Sequence, residues 1–245
     1  MLYHHALFKQ SSLADFWQVM VHGLPLDFSV AGYFSAFPGI LILTEIWYRG
    51  RITKWFYKGY TAVAALIFSM AFGLNLVLYG YWGFPLDSTP IYYFFSSPAS
   101  ALASVSMWIV IGGVLVVLLL AVGIYLLMQR MEKKLNSLSA LNHHRIWSTF
   151  CQVVLLGLLF IPIRGGIKVS TMNVGEAYFS KDMRLNHAAV HPVFSLIESF
   201  SKQVDFASQY RFMSEKEAAE VVGPMLYTKS DSVMQLITTK HPDVY

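Results

Sequence analysis

The sequence predicts an all-α protein: a polytopic membrane helix bundle with amphipathic interfacial helices and a helical extracytoplasmic linker. Three observations predict it. Only 13% of the 245 residues are charged, while 56% are hydrophobic and 16% aromatic. A soluble domain carries about 25% charged residues, so half that supply cannot cover a water-facing surface. Four apolar segments approach the roughly 20 residues that a helix needs to cross about 30 Å of hydrocarbon. Finally, the loops between them differ in charge in the way that fixes membrane orientation.

The segments run approximately over 30–48, 59–81, 102–129 and 146–163. The third is the strongest, with Trp108–Met128 free of charge. None shows the period-2 alternation of a barrel strand. The first 29 residues contain Asp15 and no uninterrupted apolar core, so they do not read as a secretory signal. One cysteine, Cys151, excludes a disulfide scaffold and a multi-thiolate metal site.

Arg49, Arg51, Lys54 and Lys58 separate the first two segments, and Arg130, Lys133, Lys134 and Arg145 separate the last two. Between the middle segments, residues 82–101 carry only Asp87. The positive-inside rule places the basic loops in the cytoplasm and both termini outside. The N-terminus then needs either an additional upstream helix or unaided translocation. The organisation expected is an extracytoplasmic interfacial segment over 1–29, a four-helix transmembrane domain over 30–163 and an extracytoplasmic juxtamembrane linker over 164–245.

Within 1–29, Leu13, Phe16, Trp17, Met20 and Val21 recur at helical spacing, and Gly23 reads as the helix stop. The helix lies either in the headgroup layer or packed on the bundle. An internal echo follows: Gly23-Leu24-Pro25-Leu26-Asp27-Phe28-Ser29 against Gly83-Phe84-Pro85-Leu86-Asp87-Ser88-Thr89. Both copies read as loops that cap a following helix through Asp and Ser/Thr. Alternatively, Asp27 and Asp87 line a polar entrance for a lipid headgroup. Ser97-Pro98 reads as the start of the third segment, after a short aromatic helix containing Tyr92–Phe95.

Beyond residue 164, 186–204 presents Val190, Phe194, Ile197 and Phe200 at helical spacing. Ser214–Glu217 is a capping box, with a stop at Gly223-Pro224. His187 and His191 are four apart, but the Glu of a His-Glu-x-x-His zinc motif is missing. Glu45 and Arg49 read as a helix-surface ion pair, and Asn75 as an interhelical hydrogen-bonding residue. Arg164-Gly165-Gly166-Ile167-Lys168 places two cations where the last segment leaves the membrane. They either anchor in the interface or hold a phosphate. Asp27, Asp87, Arg164 and Lys168 are therefore the candidate lipid-headgroup residues. There is no nucleophile elbow, phosphate loop or dinucleotide motif, and no catalytic or metal-ligating set.

Four stretches in order resemble the membrane portion of lipoteichoic acid synthase-type proteins, sulfatase-like transferases of the alkaline phosphatase superfamily. These are residues 82–90, Arg164-Gly165-Gly166, residues 172–180 and residues 185–194. The resemblance implies five membrane helices, of which four are seen here. It also implies a downstream catalytic domain that moves a phosphoglycerol or phosphoethanolamine headgroup from a phospholipid. That domain would carry a threonine nucleophile and a divalent metal, Mn or Zn, all beyond Tyr245. The chain then reads as an anchor and linker in a bacterial cytoplasmic membrane, inactive alone, with membrane phospholipid and a separate or downstream catalytic domain as partners and no nucleic acid. The rival readings are a small transporter or channel subunit and a nonenzymatic membrane interaction protein.

Overall fold

A computed structural model describes residues 1–48, 50–99, 106–138, 144–167, 169–202 and 213–226. Its long helices are α1 (Leu13–Trp47), α2 (Arg51–Trp82), α4 (Met107–Leu138) and α5 (Arg145–Leu158), the last continued by α6 (Phe160–Arg164). Among the described residues four stretches are long and apolar enough to cross a membrane: Leu13–Trp47, Arg51–Trp82, Val110–Lys133 and Arg145–Arg164. Shorter helices are α3 (Thr89–Ser96), α7 (Met183–Ala189), α8 (Pro192–Ser201) and α9 (Glu215–Leu226), with a 3-10 turn over Val174–Ala177. The described residues form no strand.

α1 and α2 form a central antiparallel hairpin. α4 packs on α2 and α5 on α1. The registers are antiparallel in both pairs. Thr61 meets Gln129, and Gly73 faces Val117, further along α2 and earlier in α4. Ser29, Gly39 and Trp47 of α1 meet Ile163, Gln152 and Thr149 in turn. One end of the bundle thus collects Arg51, Lys54 and Lys58 of α2, Arg130 and Lys133 of α4, and Arg145 of α5. The other end is covered by residues 172–202.

The first helix corrects two expectations. It does not stop at Gly23, and the first copy of the echo is not a loop. Helix α1 runs unbroken for 35 residues through Gly23, Pro25 and Pro38. Its true start is Ser12, whose Oγ accepts from the Asp15 amide while the Asp15 carboxylate accepts from the Ser12 amide. Proline inside a helix leaves a carbonyl four residues earlier without its donor. At Pro38 that carbonyl is Phe34 O, and the Tyr60 hydroxyl donates to it at 2.6 Å from α2. In the second copy, Asp87 does cap, accepting from the Thr89 amide and hydroxyl at 3.0 and 2.9 Å. The two copies share one property: Leu26 and Leu86 are both fully buried in one core cluster.

Polar contacts join each helix pair at spaced points. The Gln129 amide donates to Thr61 Oγ1 at 3.1 Å, and the Gln152 amide to Gly39 O at 2.9 Å. Trp47 Nε1 donates to Thr149 Oγ1 at 2.9 Å. Ser29 Oγ donates to Ile163 O at 3.0 Å, near the end of α6 where intrahelical donors run out. Gly32 and Gly39 let α5 and α6 approach. A methyl group at either would lie 2.8 Å from Ile163 or 2.5 Å from Leu156. Small residues serve the same purpose in membrane helix contacts generally.

The region after α6 differs from the single helix expected over 186–204. His191-Pro192 divides it: α7 ends at Ala189, and α8 begins at Pro192 with His191 as its N-cap. The buried face is then Val190, Val193 and Phe194, whereas Ile197 and Phe200 are exposed. Asn186, buried, knits the cap. Its carbonyl accepts from the Phe179 and Ser180 amides, and its amide donates to Ser180 O at 2.8 Å. Glu198 accepts from the Val174 amide at 2.8 Å.

Residues 203–245 form a separate unit, of which α9 is described. Its capping box is present, with Ser214 Oγ and Glu217 Oε2 2.9 Å apart. The stop at Gly223-Pro224 is not observed, since α9 continues to Leu226. Of the expected start signal, Ser97 ends α3 as its C-cap and Pro98 is helical, as is Ala99. The expected first residue of the third segment, 102, lies outside the described residues, as does Arg49, the expected partner of Glu45.

Tyr60→Phe should cost about 1–2 kcal/mol by leaving Phe34 O without a donor in an apolar setting. The cost should largely vanish in Pro38→Ala, which restores the helical amide. Unfolding of the four variants of this cycle in mixed micelles measures the coupling.

Candidate functional site

At the covered end, α1, α2, residues 1–8 and residues 187–192 line a half-open cavity of about 390 Å³. It is lined by His4, Asp27, Asn75, Tyr79, His187 and His191, among apolar neighbours that include Phe8, Phe72 and Val190. Its existence depends on how closely the cap seats on α1. A Cβ at Gly23 would lie 2.9 Å from the Ala189 carbonyl oxygen, so only glycine permits this helix-to-backbone contact without displacement. His22 stacks on Phe179 with centroids 4.4 Å apart. Arg184 donates to the Leu7 carbonyl at 2.8 Å, tying the first residues to the cap.

The polar groups around the cavity are mostly engaged. His4 Nε2 donates to Leu76 O at 2.8 Å. Asn75 Oδ1 accepts from the Leu86 amide at 2.9 Å, which fixes the loop after α2 rather than joining two spanning helices. The Tyr79 hydroxyl lies 3.4 Å from His187 Nδ1. His191 Nδ1 accepts from the Val193 amide at 3.2 Å, and its ring meets the edges of Phe68 and Phe72. Burial lowers the pKa of His191 to about 4. Burial also lowers that of His187, partly offset by the Gly83 backbone. Both rings are neutral near pH 7. Asp27 differs, because among the described residues no hydrogen bond or ion pair engages its carboxylate.

The four headgroup candidates are not gathered at this cavity. Asp27 lines it. Asp87 is turned onto Thr89. Arg164 sits at the end of α6, where its backbone carbonyl accepts from the Met172 amide and its Nε is buried without a partner. Lys168 lies outside the described residues. His187 and His191 fall on either side of a helix break instead of sharing a helix face. Among the described residues no group of three or more His, Cys, Asp or Glu converges.

A second, larger hollow of about 720 Å³ lies between α4 and α5, floored by α1 and α2. Its walls are mainly apolar, with Glu45, Glu132, Tyr57 and Gln152 among the lining residues.

No family model, curated protein or solved structure matches this chain. The site therefore has to be interpreted from its own chemistry.

Two outcomes follow from the cap geometry. Gly23→Ala gains up to about 1 kcal/mol of helix propensity, yet it should loosen the cap, seen as faster hydrogen exchange over residues 183–201. For His191, the undocked ring takes up a proton near its ordinary pKa of 6.5, whereas the docked ring resists it down to about 4. Its contribution is full above pH 6.5 and lost as pH falls toward 4. Because solvent reaches part of the ring, the loss should be about 1–2 kcal/mol. His191→Asn keeps a capping acceptor and should flatten that pH dependence in thermal melts.

Proposed function

We propose that the chain is the membrane anchor and linker of a lipoteichoic acid synthase-type transferase that acts on phospholipid headgroups at the outer leaflet, and that it lacks transferase activity by itself. The observation that carries this reading is the two-ended build of the bundle. Basic residues collect at one end, and a folded cap of residues 172–202 seats on the other. With the basic end cytoplasmic, the cap lies at the outer surface, and the chain passes onward from it. All four stretches that resemble the family lie at this end, Arg164-Gly165-Gly166 at the close of α6 against Met172. Residues 82–90 give the loop that buries Leu86. Residues 172–180 give the 3-10 turn, and residues 185–194 give the α7–α8 junction. Tethering beside a lipid substrate raises effective concentration, which is the service an anchor supplies.

A membrane interaction subunit is the second reading. The separation of α4 from α5 favours it, because it leaves a mainly apolar groove between them, floored by α1 and α2.

Two measurements test the first reading. In a Cys151→Ser background, Tyr178→Cys should react with an impermeant reagent on intact cells. Lys133→Cys should react only after permeabilisation, and the reverse pattern overturns the outer placement. The purified chain in phosphatidylglycerol or phosphatidylethanolamine bilayers should release no diacylglycerol. Release would overturn the assignment as an inactive anchor.

A further inference from the structure

We infer that the cavity under the cap is a binding site for an organic ammonium group, with Asp27 as its counter-charge. Asp27 lies on α1 one turn below Gly23 and opens into the cavity. Its carboxylate is open to the cavity mouth, and among the described residues no cation or hydrogen-bond donor pairs with it, so it is available to a charged ligand. The remaining titratable side chains on the walls are His4, Tyr79, His187 and His191. His187 and His191 are neutral near pH 7 for the reason given above. The Met1 amine also lines the cavity and forms no ion pair, and burial lowers its pKa. Among the described residues Asp27 is the one carboxylate of the lining and so the natural counter-charge for a cation.

The kind of cation follows from the remaining walls. A hard metal ion needs several oxygen donors. Here the Asn75 carbonyl oxygen is already held by the Leu86 amide, which leaves Asp27 without a complementary set. Phe72 and Tyr79 contribute ring surface, which suits an alkylammonium through cation–π attraction. The volume of about 390 Å³ falls in the range of small-molecule sites. A phosphoethanolamine-type lipid headgroup and a free alkylamine share this chemistry. The inference does not depend on the transferase reading, since it uses only the cavity and its charge.

The test uses the full chain in an uncharged maltoside micelle at pH 7.5. One arm titrates ethanolamine hydrochloride by calorimetry. The other counts retained phosphatidylethanolamine against phosphatidylglycerol by native mass spectrometry. Saturable binding in either arm, weakened at least 10-fold by Asp27→Asn and unchanged by Glu45→Gln at the opposite end, is the expected result. Binding in the first arm alone identifies a free amine, and binding in the second alone a headgroup. Ala188→Phe, which fills the cavity while leaving the carboxylate in place, should abolish binding too and decides the matter if Asp27→Asn does not fold. Absence of binding in both arms, or equal binding by the folded variants, overturns the site.

Discussion

Every part of this molecule is arranged around the need to satisfy backbone polar groups where water is scarce. A helix in hydrocarbon can leave no carbonyl or amide idle without a cost of several kcal/mol. Pro38 creates such an idle carbonyl in α1, and Tyr60 of α2 supplies its donor. The end of α6 creates another near Ile163, and Ser29 supplies that one. Gln152 reaches a third carbonyl beside a glycine that brings the helices together. In these places helix packing and completion of the backbone coincide, whereas α4 meets α2 through side chains, Gln129 on Thr61 and Val117 at Gly73.

The same logic explains what could be foreseen. The four spans were legible because an apolar run of sufficient length has few alternatives once charge is scarce. The capping box at Ser214 was legible for a local reason, since its partners are three residues apart. Gly23 and Pro25 misled, because their local preference for a break is overridden in α1. Gly23 is required by the approach of Ala189, which is far away in sequence. His191-Pro192 carried a readable signal, a capping side chain before an N1 proline. The apolar spacing across it suggested continuity instead.

The cavity was the least legible feature. Its polar walls come from four separate places in the chain, residue 4, residue 27, residues 75 and 79, and residues 187 and 191, which no local pattern joins. Asp27 could be singled out as a charge beside an apolar stretch, and it lines the cavity. The described companions proposed for it lie elsewhere. Asp87 serves a helix start, and the Nε of Arg164 is buried at a helix end. A local motif indicates the chemistry a residue can perform, whereas the folded chain decides its company.

The attachment of α4 and α5 to different members of the central hairpin has a consequence for biogenesis. Each later helix rests on one made earlier: α4 on α2, then α5 back on α1, and finally the cap on both. A ribosome delivering the chain from its N-terminus presents every docking surface before the segment that uses it. Assembly in the order of synthesis thus requires no finished contact to be undone.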